Sequence, residues 1–270
     1  MVSKHKRCMT GRLQQNVAAG LLAHLRERET GHLFHRRKEL NQVSREEKKF
    51  LINREEYYKK SHQLSQVLAQ DKNNGSDGYL VRSLYFDTIY DKDFYDKQDG
   101  IETRRKIRLR CYDPGNDFAL LEMKQKQGCY QMKRSLRVSR EDAVRLTKGD
   151  YSPLLHYPES FAQECYALMQ CQCYRPKTIV QYQRKAFVAK ENKIRITFDS
   201  RIESTESCFD LFSPKLNMNP VLDAFQVVLE VKYNGFLLEY IKRMLNSIDK
   251  SELSVSKYCL ARQNAYQTRL

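Results

Sequence analysis

Lys106, Arg108 and Arg110 recur at every second position of 102-ETRRKIRLRCY-112, opposite the apolar set Ile107, Leu109 and Cys111. In an extended chain, residues i and i+2 share a face, so this segment presents cations on one side and core-forming residues on the other. The segments 119-ALLEMKQK-126 and 226-QVVLEVKY-233 repeat the pattern with a Glu-x-Lys spacing at Glu122/Lys124 and Glu230/Lys232. That spacing sets a carboxylate beside an ammonium on one strand face. Arg clamps phosphate oxygens bidentately, Lys acts as a point charge, and hard carboxylate oxygens suit Mg²⁺ or Mn²⁺. The chemistry indicated is the holding of a polyanion together with a divalent metal. Glu230 is the first candidate metal ligand, with Glu47, Glu122 or Asp199 as helpers.

Alternation alone describes any half-solvated antiparallel sheet whose charges face water. Such strands, however, usually mix both charge signs with Ser, Thr and Gln. Like charges on neighbouring positions repel, so a run of same-face cations points to a compensating anion.

The elements that must position these residues are mostly strands. Alternation marks 45–52, 79–86, 103–112, 118–126, 129–138, 178–187, 193–200 and 226–233, eight in all. Asp113-Pro114-Gly115-Asn116 and Gln127-Gly128 supply hairpin turns. Helical spacing marks 54–70, 140–148 with Ser139 as its cap, 158–170 starting at Pro158, and 236–248. The fold class expected is mainly β (α+β), antiparallel, with flanking helices. Eight strands are enough to close a barrel, and charged faces turned inward would ring an aqueous lumen with Lys and Arg.

Composition bounds the partner. Lys plus Arg is 48 against 33 for Asp plus Glu, a net +15, which favours an anionic ligand or surface. Eight Cys without a CxxC pair or secretory signal read as reduced thiols of a cytoplasmic protein, and Cys171-Gln172-Cys173 is too little for zinc. No run of apolar residues is long enough to span a bilayer. Residues 1–44 read as a basic extension, helical or poorly ordered, with peripheral membrane contact as its alternative role; 45–270 form the main domain. Phosphate-binding Gly-rich loops are absent, so any nucleotide is held by side chains. Nucleic acid is not expected, because exposed aromatics are not interleaved with the basic positions.

Nine ordered segments resemble one family: 47-EKKF-50, 82-RSLYFDT-88, 104-RRKIRLRCY-112, 122-EMKQK-126, 133-KR-134, 182-YQRKAF-187, 195-RITFD-199, 229-LEVKY-233 and 256-SKY-258. Together they resemble the catalytic domain of the vacuolar transporter chaperone (VTC) polyphosphate polymerases, within the triphosphate tunnel metalloenzyme (CYTH-like) fold. The resemblance implies an eight-stranded antiparallel tunnel that binds ATP, triphosphate and growing polyphosphate with Mn²⁺ or Mg²⁺. It implies phosphate ligands at Lys49, Arg108, Arg110, Lys124, Lys133, Arg184 and Lys257, to which the strand cations Lys106, Arg195 and Lys232 are added as candidates, with Arg108, Arg110, Lys124, Arg184 and Glu230 expected to carry the transfer. The metal set is Glu230 with Glu47 and Glu122. The wider superfamily begins Glu-x-Glu-x-Lys, whereas this chain has Arg45-x-Glu47-x-Lys49. The missing carboxylate shifts the expectation from hydrolysis toward transfer. Rival expectations are an inorganic or nucleoside triphosphatase in the same tunnel, and a non-catalytic module that only binds polyphosphate or nucleotide.

Overall fold

The computed structural model describes residues 45–128, 130–246 and 256–267. The expectations for residues 1–44 lie outside them. The strands are β1 (Arg45–Asn53), β2 (Ala69–Gln70), β3 (Tyr79–Thr88), β4 (Thr103–Cys111), β5 (Phe118–Gln127), β6 (Tyr130–Ser139), β7 (Tyr174–Val188), β8 (Arg195–Thr205), β9 (Asn219–Pro220) and β10 (Gln226–Asn234). Their order is β1-β10-β8-β7-β3-β4-β5-β6, with the two-residue strands β2 and β9 attached to β7 and β8. The path therefore has the expected eight strands, and its described pairings are antiparallel. The closure expected of a barrel is not among the described pairings, which leave β1 and β6 at the two ends of the order. β6 carries Lys133, Ser135 and Arg137 exposed along its length, the kind of charged surface that protects a strand edge.

The chain divides into two compact units. The first comprises Leu84–Arg110 and Asn116–Lys177, and the second the described residues of Gln42–Ser83, Cys111–Gly115 and Thr178–Leu270.

In the first unit, β4, β5 and β6 pair in sequence, and alternation sorts their faces. Ile107, Leu109, Ala119, Leu121, Met123, Leu136 and Val138 are buried. The helices α3 (Arg140–Thr147) and α4 (Ser160–Cys171) pack against β6, α3 also against β5, and they bury Ala143, Leu146, Ala162, Cys165 and Met169. Ser139 caps α3 as expected, its hydroxyl accepting from the Asp142 amide at 3.1 Å. α4 begins at Ser160, two residues after Pro158. A short helix α2 (Lys92–Gln98) was not legible in the sequence. Its first turn is held by the buried Asp87 carboxylate, which accepts from the amides of Asp93 and Phe94, both at 2.9 Å.

In the second unit, β1, β10, β8 and the body of β7 put Ile52, Val227, Leu229, Val231, Ile196, Phe198 and Phe187 into one core with Leu64 and Ile241. Leu64 comes from α1 (Arg54–Ser65) and Ile241 from α5 (Glu239–Leu245). α1 starts on an Asn53/Glu56 capping box. It ends earlier than the expected residue 70 because Ala69 and Gln70 pair with Val188 and Phe187 instead. The last described helix, α6 (Lys257–Gln267), was also missed by periodicity. Among the described residues no helix is long and apolar enough to cross a membrane.

Candidate functional site

The polar face of β4-β5-β6 in the first unit is a register-aligned grid. Lys106 pairs with Lys124, which pairs with Lys133; the next row is Arg108, Glu122 and Ser135. Three lysines opposed in a row repel one another, and Lys133 is partly compensated by Glu122. Glu122 is 2% exposed and anchors the second row. Its carboxylate accepts from Arg108 Nε at 2.8 Å and Nη2 at 2.7 Å, lies 3.8 Å from Arg110 Nε, and meets Lys133 Nζ. Burial raises its pKa, but Arg108, Arg110 and Lys133 outweigh that and hold it at about 2. Arg108 also donates from Nη1 to the Tyr85 hydroxyl at 3.2 Å. Burial pushes the Tyr85 phenol up, and the same two arginines more than reverse the shift.

The second unit carries its own grid. Across β1, β10 and β8, one row reads Glu47, Lys232 and Arg195; the next reads Lys49, Glu230 and Thr197; the third sets Val228 beside Asp199, which faces Arg184 on β7. Glu230 is 5% exposed and contacts Lys232 Nζ. Burial disfavours its charge, yet Lys232, Lys49, Lys257 and Arg184 hold the carboxylate well below its usual pKa. Glu47 pairs with Lys49 and lies 3.8 Å from Lys232. Of the two Glu-x-Lys spacings singled out in the sequence, 230/232 forms a pair and Glu122 is held by Arg108, Arg110 and Lys133; Glu47/Lys49 is a further i,i+2 pair.

Asp199, fully buried, holds Arg184 bidentately, from Nε at 2.7 Å and from Nη2 at 2.8 Å, and Lys257 Nζ at 2.6 Å. Both cations lie within about 6 Å of the Tyr182 ring, close enough for a cation–π attraction. Desolvation works against every charge in this triad, and the mutual attraction wins: Asp199 is shifted down, Arg184 and Lys257 up. Arg195 lies on the same face of β8 as Asp199 but does not share its pairing. It instead pairs with Asp71 at 2.7 Å and donates to the Tyr79 hydroxyl at 3.1 Å. Gly78, at φ +92°, lies against the backbone of Arg184, where a Cβ would come within 2.2 Å of the carbonyl oxygen. Only glycine fits there, and the 71–78 loop is thereby fixed beside the Arg184 clamp.

The ten expected phosphate ligands divide between the units. Lys106, Arg108, Arg110, Lys124 and Lys133 fall in the first, and Lys49, Arg184, Arg195, Lys232 and Lys257 in the second. Of the carboxylates named as metal ligands, Glu47 and Glu230 share one grid, whereas Glu122 is already engaged by three cations and acts as an anchor for Arg108 and Arg110. Sequence reasoning missed Asp71, Tyr79 and Tyr85. Tyr85, within the expected strand 79–86, is buried; its hydroxyl on Arg108 depends on a neighbouring strand that local spacing does not identify. Among the described residues no three His, Cys, Asp or Glu side chains converge as a ready-made metal cage.

A comparison with curated proteins returns no match. Among solved structures, the chain is similar to a Hippeastrum protein described as revealing a dominant triphosphatase activity, with 14% identity over 81% of this chain and 95% of that chain and a TM-score of 0.51. It is also similar to a Bacillus halodurans protein described as a candidate adenylate cyclase, with 14% identity over 79% of this chain and 96% of that chain and a TM-score of 0.46. At such identity the Hippeastrum likeness speaks to the fold alone, an antiparallel sheet flanked by helices. The VTC domain matches residues 44–266, so the chain belongs to the VTC-domain family.

Proposed function

We propose that the protein is a metal-dependent phosphotransferase that moves the γ-phosphoryl group of ATP onto a polyphosphate chain. The observation that carries this reading is the lysine row Lys106-Lys124-Lys133 beside the Arg108/Arg110 pair on Glu122. A regular array of cations suits a regular array of phosphates, and the arginines add directional clamps. Phosphoryl transfer asks little covalent chemistry of a protein: it needs positioning and charge neutralisation on the nonbridging oxygens. In the first unit Lys124, Arg108 and Arg110 would supply such charge, and the second unit has a clamp of its own in Arg184.

The residues present also suit a divalent cation. Mg²⁺ is commonly held by one or two carboxylates and completed by substrate phosphates. Glu230, buried and kept ionised, with Glu47 in the adjacent row, supplies such a pair of hard oxygens. Mn²⁺ or Mg²⁺ bound there would neutralise charge on the transferred group. Glu122 fits that role less well, since Arg108, Arg110 and Lys133 already occupy its oxygens. Lys232 contacts Glu230 and Lys49 contacts Glu47, so both ammoniums must turn toward phosphate when a metal binds.

Transfer is favoured over hydrolysis because Arg45 stands where the wider superfamily has the first carboxylate of its opening strand. The second reading, a triphosphatase, is favoured by the activity named for the Hippeastrum protein. Incubation with ATP and Mn²⁺, followed by gel detection of polymer and a parallel assay of free phosphate, separates the two. Polymer forming faster than phosphate release is the expected result. Phosphate without polymer would establish the hydrolase, and tight triphosphate binding with neither product would mean a binding module.

A further inference from the structure

Thr197 lies in the middle of the second unit's grid. It sits opposite Glu230 on β10 and Ala186 on β7, on the strand face that also carries Arg195 and Asp199. The residue is 4% exposed, and its hydroxyl has no hydrogen-bond partner among the described residues. Burying an unpaired hydroxyl costs free energy, and valine would fill the same space without that cost. A threonine at such a position points to a state in which the hydroxyl is used. The group directly across the strand pair is the Glu230 carboxylate, and side chains facing each other in an antiparallel pair start from Cβ atoms about 4.5–5.5 Å apart.

In the free protein Glu230 is engaged by Lys232. A hard cation on Glu230, together with phosphate drawing Lys232 away, leaves the second carboxylate oxygen in need of a donor. Carboxylates that hold metals are themselves hydrogen-bonded by supporting groups that orient them. A neutral hydroxyl does this without competing for the charge, whereas an ammonium on the same oxygens opposes the metal. We propose that Thr197 is a positioning residue for Glu230, its Oγ1 donating to the carboxylate when a divalent cation is bound. This rests on the reading of Glu230 as the metal ligand.

The test compares Thr197→Val and Thr197→Ser with the unmodified protein by thermal melting, in tripolyphosphate with EDTA and in tripolyphosphate with Mn²⁺. For Thr197→Val the ligand-free melting temperature should hold or rise, and the shift from tripolyphosphate in EDTA should persist. The further increment from Mn²⁺ should shrink, with apparent metal affinity falling about tenfold or more. Thr197→Ser should keep the increment. A full Mn²⁺ increment in Thr197→Val would overturn the proposal. A lower ligand-free melting temperature would do the same, because the hydroxyl would then be in use in the free protein, and so would loss of the metal-free shift, because the hydroxyl would then serve the anion. Glu230→Gln, run alongside, separates the two levels: an increment that survives it removes Glu230 as the ligand and takes this inference with it, whereas one lost in Glu230→Gln but intact in Thr197→Val defeats the role of Thr197 alone.

Discussion

Glu230→Gln is expected to lower the rate of phosphoryl transfer by about 10²–10³-fold, the scale on which one preorganised electrostatic group contributes. Glutamine keeps the shape and the hydrogen-bonding oxygen but gives up the charge that would hold a divalent cation. The cations near Glu230, namely Lys232, Lys49, Lys257 and Arg184, remain. Triphosphate binding should therefore survive in part while turnover collapses. The measurement is single-turnover transfer from ATP at saturating Mn²⁺, below the melting temperature of the variant, since removing a buried compensating charge also costs stability. Unchanged turnover would move the metal to Glu47.

The largest effect on stability is expected at Asp199, which touches two cations and lies entirely out of solvent. Asp199→Asn leaves Arg184 and Lys257 partly buried without their counter-charge, a change that costs about 3–5 kcal/mol when a buried pair is broken from one side. Its pH dependence has a definite sign. The Asp199 pKa is held below its ordinary value, so the stabilisation is complete above the normal carboxylate range and is lost as pH falls through the depressed folded-state value. The gap in melting temperature between the unmodified protein and Asp199→Asn should stay constant from pH 8 to about pH 5 and narrow only below about pH 4. A gap that widens in acid would contradict the ion-pair account.

The two-residue period of the strands was legible because both faces carry a strong signal. Residues such as Ile107, Leu109, Leu121 and Met123 leave little choice about which side meets the helices. Helices were read less well where tertiary pairing or short length competed with local pattern. Ala69 and Gln70 were read as helix, yet they add to β7, and α2, in 92-KDFYDKQ-98, is too short and polar for a helical stripe to show. In the candidate site, pairs close in sequence could be read from spacing, as with Glu47/Lys49 and Glu230/Lys232. Partners brought together by register could not. Glu122 meets Arg108 from another strand, Asp199 meets Lys257 from α6, and Arg195 takes Asp71 from a loop. Each depends on which strands become neighbours, information that periodicity does not contain.

The claim on which the rest depends is that the cations of the first unit's grid bind phosphate specifically, beyond what a net charge of +15 would give any anion. Calorimetric titration with tripolyphosphate at physiological salt addresses this directly, comparing Arg108→Ala and Arg110→Ala with Arg243→Ala. Arg243 is 77% exposed and pairs with Glu239 on the surface of α5. The first two variants should each lose about 1.5–3 kcal/mol of binding free energy, the scale of a charge-assisted hydrogen bond, and Arg243→Ala should lose almost none. Equal losses from all three would mean diffuse surface attraction and would contradict a phosphate site on the β4-β5-β6 face.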